Sequence, residues 1–211
     1  TLQYEMSYTN ILNMLDMSGI TIRASERGEE EPIIMAGGPC AYNPEPLYDV
    51  VDFFEIGEGE EMMNDVLEVY AKHKANGKVN KKEFLREISK IGGIYVPSLY
   101  DVTYNEDGTI KEFTPKYEDV PAKVKKRIVN NFDAVSFPDE MIVPYTDIVH
   151  DRVVLETARG CTNGCRFCQA GMIYRPVREK TTNTLLEQAR KALKATGYDE
   201  VSLASLSICD Y

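Results

Sequence analysis

The stretch RVVLETARGCTNGCRFCQAG, residues 152–171, sets three cysteines directly behind a run with the character of a strand. Val153, Val154 and Leu155 are apolar and suit a pleated, half-buried surface. Gly160 and Gly164 allow the tight turns that bring Cys161, Cys165 and Cys168 toward one point. Downstream, NTLLEQARKALKATG (183–197) is apolar at helical spacing and closes on glycine, and EVSLASLS (200–207) reads as a second strand. Strand, cysteine loop, helix and strand make one parallel unit, the opening of a barrel or an open sheet.

Working outward, the N-terminal half alternates strands with helices. Leu2, Met6, Ile11, Leu12, Met14 and Leu15 predict a helix that stops at Gly19. EPIIMAGGP (31–39) predicts a buried strand over Ile33–Ala36, and YDVVDFFEIGEGEE (48–61) a short helix and a strand over Phe53–Ile56. A helix over residues 60–75 follows, with Met62, Met63, Val66, Leu67 and Tyr70 inward. This alternation predicts a partial Rossmann-like parallel sheet, with Gly37–Gly38 and Gly57–Gly59 at the strand ends where ligands of such sheets sit. KKEFLREISKIGG (81–93) predicts a short helix, and residues 95–115 a hairpin turning on NEDG (105–108). VPAKVKKRIVNNFD (120–133) is read as another short helix, with KVKKR its solvated face, and SFPDEMIVPYTD (136–147) as a linker. The expected organisation is therefore α/β: a Rossmann-like half-domain over 1–75, an α/β linker region with a β-hairpin over 76–145, and the truncated start of a TIM-type barrel over 146–211. The lack of an initiating methionine and the stop just after EVSLASLSICDY predict a piece of a longer polypeptide.

The formal net charge is −10, from 34 acidic and 24 basic residues, which argues against a broad nucleic-acid or membrane-surface role. No apolar run reaches the roughly 20 residues of a membrane span, and the start shows no signal peptide. Five cysteines, three of them clustered, suit a metal or redox site in a reducing compartment better than a disulfide framework, so a cytoplasmic location is expected.

Three thiolates are one short of a closed metal site. A structural zinc site takes four ligands, and Cys209 or His150 offers the fourth. A ferredoxin-type carrier also takes four cysteines. A cluster held by three alone keeps one metal open, as catalysis requires. Cys40 and Cys209 otherwise read as small buried hydrophobes. Glu58, Glu60 and Glu61 read as acids favouring a helix N-terminus, and Met62 and Met63 as core residues. Tyr174, Arg175 and Arg178 follow the loop and fit either a ligand contact or an ordinary surface.

Cys161-x3-Cys165-Arg166-Phe167-Cys168, with its aromatic before the third cysteine, resembles the radical S-adenosylmethionine (radical SAM) signature. PIIMAGGP, NPEP and DFFEIGEGE resemble the later half of the cobalamin-binding-like domain that precedes the barrel in many radical SAM proteins, and YEMSYTNILNMLDMSGI, GGPCAYNPEP and ETARGCTNGCRFCQAG are similar to an uncharacterised subfamily of such fusion proteins. The resemblance implies a 4Fe–4S cluster on Cys161, Cys165 and Cys168, S-adenosylmethionine on its open iron, and an electron donor as partner. It implies that Phe167 flanks the cofactor and that Ser205, Leu206 and Ser207 stand where the family holds the amino group with a glycine-glycine-acidic stretch. Neither His73 nor His150 sits in the family's cobalamin-ligand pattern, so cobalamin enters by fold analogy alone.

Overall fold

The computed structural model describes residues 1–75, 77–146 and 148–211. Asn76, the first residue of the expected linker region, and Asp147, the last residue of the expected linker peptide, lie outside the described residues. The chain divides into two compact units, Thr1–Ile128 and Val129–Tyr211.

In the first unit, β1 (Met35–Gly37) and β2 (Phe53–Glu55) are parallel, with Met35 opposite Phe53 and Gly37 opposite Glu55. β1 starts two residues later than the apolar run suggests. The Asp52 carboxylate takes the Ile34 N–H at 2.7 Å, so a side chain stands where the ladder would begin. Helix α1 (Tyr8–Met17) precedes them, and two short 3-10 turns, Pro39–Tyr42 and Glu45–Leu47, replace the expected helix between them.

Helix α2 (Gly59–Ala75) leads not to a parallel strand but to a second helix, α3 (Lys81–Ile88). Asn80 starts α3 by accepting the Lys82 and Glu83 N–H groups on its side-chain oxygen. The two helices form a hairpin, so β3 (Ile94–Tyr95) enters beside β2 antiparallel. The sheet order is β1-β2-β3, and the fold is mixed α/β rather than a wholly parallel Rossmann-like sheet. Met62 and Val66 of α2 are buried with Phe54, Phe84, Ile88 and Ile94, whereas Leu67, expected inward, is exposed, and Tyr70, at the edge of the core, sets its ring edge-on to Phe84.

The hairpin appears as β4 (Tyr100–Tyr104) and β5 (Ile110–Pro115), with Gly108 at positive φ. Residues 120–128 are not helical. Arg127 lies extended across Gly57, its N–H donating to Ile56 O and its carbonyl accepting from Glu58 N. Backbone pairing to the end of β2 outweighs the helical periodicity of KVKKR.

In the second unit, β6 (Val153–Glu156) runs into β7 (Ala158–Arg159), and the cysteine loop with the short α4 (Ala170–Ile173) returns through β8 (Arg178–Glu179). Helix α5 (Thr182–Thr196) then leads to β9 (Val201–Ala204), parallel to β6 with Val153 opposite Val201. Thr181 caps α5, and Gly197 ends it in the left-handed region. Leu185 and Ala192 of α5 bury Val153 and Leu155, with Phe137, Met141 and Tyr198 around them. The parallel strand-helix-strand unit stands as read; two parallel strands do not by themselves make a barrel.

Candidate functional site: the three-cysteine loop

The loop has a closed neck. β7 and β8 pair antiparallel, Ala158 with Glu179 and Arg159 with Arg178, so residues 160–177 leave and return at one place. Gly160 has φ +96, and a Cβ there would lie 2.7 Å from the carbonyl oxygens of both Tyr174 and Pro176. Only glycine lets the outgoing and returning chains approach so closely. Arg159, Arg178 and Lys180 place their cationic groups 4.8, 5.9 and 5.2 Å from the centre of the Phe132 ring. Arg159 makes a two-pronged ion pair with Glu156, and Arg178 donates to Val129 O at 3.0 Å. Arg178 thus secures the neck.

All five cysteines are free thiols. Cys161 and Cys168 are half-buried and Cys165 is exposed. The backbone N–H of Asn163 points to Cys161 Sγ at 3.5 Å, and that of Gly171 to Cys168 Sγ at 3.4 Å. Such N–H donors to sulfur tune a bound metal. Among the described residues no three His, Cys, Asp or Glu side chains are arranged tightly enough to hold a metal ion. The three thiols share one loop without meeting. As a donor set, three thiols with two N–H groups aimed at sulfur fit an iron–sulfur cluster.

The segment after β9 is tied to this loop. Asn163 Nδ2 donates to Asp210 Oδ2 at 3.1 Å and to Ser207 Oγ at 3.3 Å, while Ser207 Oγ donates to the same carboxylate at 2.7 Å. Ser205 Oγ is buried without a hydrogen-bond partner among the described residues, an orphaned polar atom at the carboxyl end of β9. Leu206 is half-exposed and Phe167 is 92% exposed. Asn163 and Asp210 were not singled out in the sequence; the available signal was a polar residue inside the cysteine spacing and an acid soon after the second strand. Cys209 is exposed beside Asp210, not the small buried residue expected, while Cys40 is buried as expected, its thiol pKa raised first by burial and then by Glu5.

The glycines of the first unit serve the chain's own backbone. A Cβ at Gly38 would stand 2.8 Å from Leu2 O, and one at Gly57 would overlap the Arg127 carbonyl oxygen. The expected ligand positions at the ends of β1 and β2 are therefore covered by residues 1–2 and by Arg127. His73 is held by Glu87 at 2.8 Å and stands edge-on to Phe84, and His150 is exposed. Neither has the setting of a cobalamin ligand. No helix among the described residues is long and apolar enough to cross a membrane.

Residues 1–97 match the family described as radical SAM proteins, N-terminal. Over that stretch the chain is similar to the N-terminal region of radical SAM proteins, in agreement with the resemblance drawn from the sequence. Along its whole length it is similar to an uncharacterised protein of Methanocaldococcus jannaschii, 27% identical over 212 residues, covering 100% of this chain and 38% of that protein. The chain thus spans less than two fifths of that relative's length. No solved structure matches the chain at a significant level.

Proposed function

We propose that this chain is part of a radical S-adenosylmethionine enzyme in which Cys161, Cys165 and Cys168 hold a 4Fe–4S cluster. The observation that carries the reading is a loop of three free thiols on a closed neck behind a strand, in a chain whose first 97 residues match the family's N-terminal region. When bound, the cluster with S-adenosylmethionine would supply reductive cleavage of the sulfonium to a 5′-deoxyadenosyl radical.

The chain's own residues prepare the place. The N–H groups of Asn163 and Gly171 would donate to two of the cluster's sulfur ligands. Gly160 keeps the neck narrow, so the thiols stay together on one short loop. Asn163 fixes the loop to the segment after β9. Ser205 and Ser207, with the backbone around Leu206, are the groups we assign to the amino end of the cofactor, and the orphaned Ser205 hydroxyl supports that assignment. Phe167, exposed on the loop, would cover the cofactor and exclude water from it.

The test uses the full-length protein, loaded with iron and sulfide without oxygen and incubated with S-adenosylmethionine and a reductant. Near four iron and four sulfide per chain and release of 5′-deoxyadenosine support the reading; stoichiometric zinc without iron defeats it. One observation favours a second reading, a closed four-thiolate electron-transfer or zinc module: Asn163 draws Asp210, and with it the neighbouring Cys209, toward the cysteine loop. Cys209→Ser separates the two. A retained cluster favours the open site, and a lost one favours the module.

A further inference from the structure

A carboxylate that the cluster assignment leaves unused stands beside the cysteine loop. Asn163, between Cys161 and Cys165, faces two ways. Its backbone N–H points to Cys161 Sγ at 3.5 Å, and its side-chain Nδ2 donates to Asp210 Oδ2 at 3.1 Å. Asp210 therefore stands two hydrogen bonds and one residue from a sulfur, roughly 10 Å along that path.

The carboxylate is held from outside the loop as well. Ser207 Oγ donates to Asp210 Oδ2 at 2.7 Å, and the Asp210 N–H donates to Ser207 O at 3.1 Å, closing a 3-10 turn over Ile208–Asp210. Before that turn, the Thr157 N–H donates to Ala204 O at 2.9 Å; after it, the Tyr211 hydroxyl donates to Lys180 O at 2.9 Å. Thr157 and Lys180 lie on the neck side of the loop, at the junction of β6 with β7 and just past β8. The turn is thus pinned beside the neck by bonds that do not depend on how the three thiols converge.

The charge on Asp210 is not paired. Its side-chain partners are an amide and a hydroxyl, both neutral donors. It makes no ion pair among the described residues, although the loop itself carries Arg166 and Arg175. Asp210 is exposed, so water screens its field without cancelling it. Cluster potentials follow net charge, and a negative charge nearby opposes the entry of an electron. At an effective dielectric constant of about 20–40, a unit charge roughly 10 Å away changes a one-electron equilibrium about 4- to 15-fold.

We propose that Asp210 sets how readily the cluster of this loop takes up its electron. The inference rests on Cys161, Cys165 and Cys168 holding that cluster. One electron enters from the electron donor and one leaves to the sulfonium; the carboxylate makes entry harder and departure easier. Asp210 acts through its field, and Asn163 and Ser207 act by holding it in place.

The test is the reduced fraction of the loaded full-length protein, read by electron paramagnetic resonance at fixed potentials set with dithionite and mediator dyes, without S-adenosylmethionine. Asp210→Asn keeps an acceptor for Asn163 and Ser207 and removes only the charge, with Arg166 and Arg175 common to both proteins. At one potential near the parent's midpoint, its ratio of reduced to oxidised cluster should be about fivefold higher in low salt. At about 1 M salt the gap should shrink to less than about twofold. Asp210→Glu, which restores the charge, should stay within about twofold of the parent. A purely structural role sorts them the other way: Asp210→Asn would match the parent, and Asp210→Glu, with its longer reach, would not. Asp210→Ser carries the same expectation as Asp210→Asn should the amide disturb loading. Metal content separates this inference from the reading beneath it. A parent that holds zinc removes both. A parent with about four iron per chain and the same ratio as Asp210→Asn overturns the inference alone, as does a change in S-adenosylmethionine affinity with the ratio unmoved.

Discussion

Gly160→Ala strikes the neck of the cysteine loop, and its cost follows from the geometry. The residue sits at φ +96, where an L side chain costs about 1–3 kcal/mol of backbone strain. The new Cβ would also press on two carbonyl oxygens at 2.7 Å and on Pro176 C at 3.0 Å, backbone atoms that yield only if β8 moves. Moving β8 loosens its pairing with β7 and the Lys180 N–H bond to Thr157 O at 2.8 Å, each bond worth about 1 kcal/mol. The total is about 3–5 kcal/mol. Hydrogen exchange by mass spectrometry on peptides spanning Thr157 and Lys180 should then quicken by roughly 100- to 3,000-fold. Gly164→Ala is the control in the same loop. At φ +63, with nothing nearer than 3.9 Å, it carries only the left-handed penalty of about 1–2 kcal/mol, no more than roughly 30-fold. If the two variants exchange alike, or Gly160→Ala stays within about tenfold of the parent, close approach is not what the glycine provides. Iron uptake by Gly160→Ala, measured separately, should fall if the neck positions the thiols.

Two further outcomes test the first unit. Gly57 and Gly77 have nearly equal φ, +118 and +115, but a Cβ at Gly57 meets Arg127 backbone while one at Gly77 meets nothing within 4 Å. In urea unfolding Gly57→Ala should therefore lose about 2 kcal/mol more than Gly77→Ala, the worth of the two Arg127 backbone bonds; equal losses would show that Arg127 does not depend on that contact. Glu55 is buried, its Oε1 has no partner among the described residues, and burial raises its pKa. A raised carboxyl pKa means that the folded state holds the proton more tightly. Its contribution is greatest at low pH, below the unfolded value of about 4.3, and is lost as pH rises through the folded value. Glu55→Gln should accordingly stabilise the chain at pH 8, by about 1–3 kcal/mol for relief of a buried charge, and lose that advantage near pH 4. A gain of the same size at both pH values would contradict burial as the cause.

Much of the local structure was written in short-range pattern. The α5 face, its Thr181 cap and its Gly197 stop needed only period and termini, and so did the β6 and β9 runs, the hairpin with Gly108 and the cysteine spacing. What failed depended on partners far along the chain. KVKKR has helical periodicity, yet Arg127 pairs with the backbone around Gly57, seventy residues earlier. Leu67 sits at helical core spacing but faces outward, off the buried stripe of α2 at Met62 and Val66, whereas Tyr70, in line with that stripe, lies at its edge with its ring edge-on to Phe84.

The sequence by itself determined that three thiols stand at that spacing in a loop behind a strand, since that is a property of neighbouring residues. Only the tertiary structure decided what the glycines are for. Gly38, Gly57 and Gly160 each admit another stretch of backbone, and no local signal distinguishes such a glycine from one that admits a ligand.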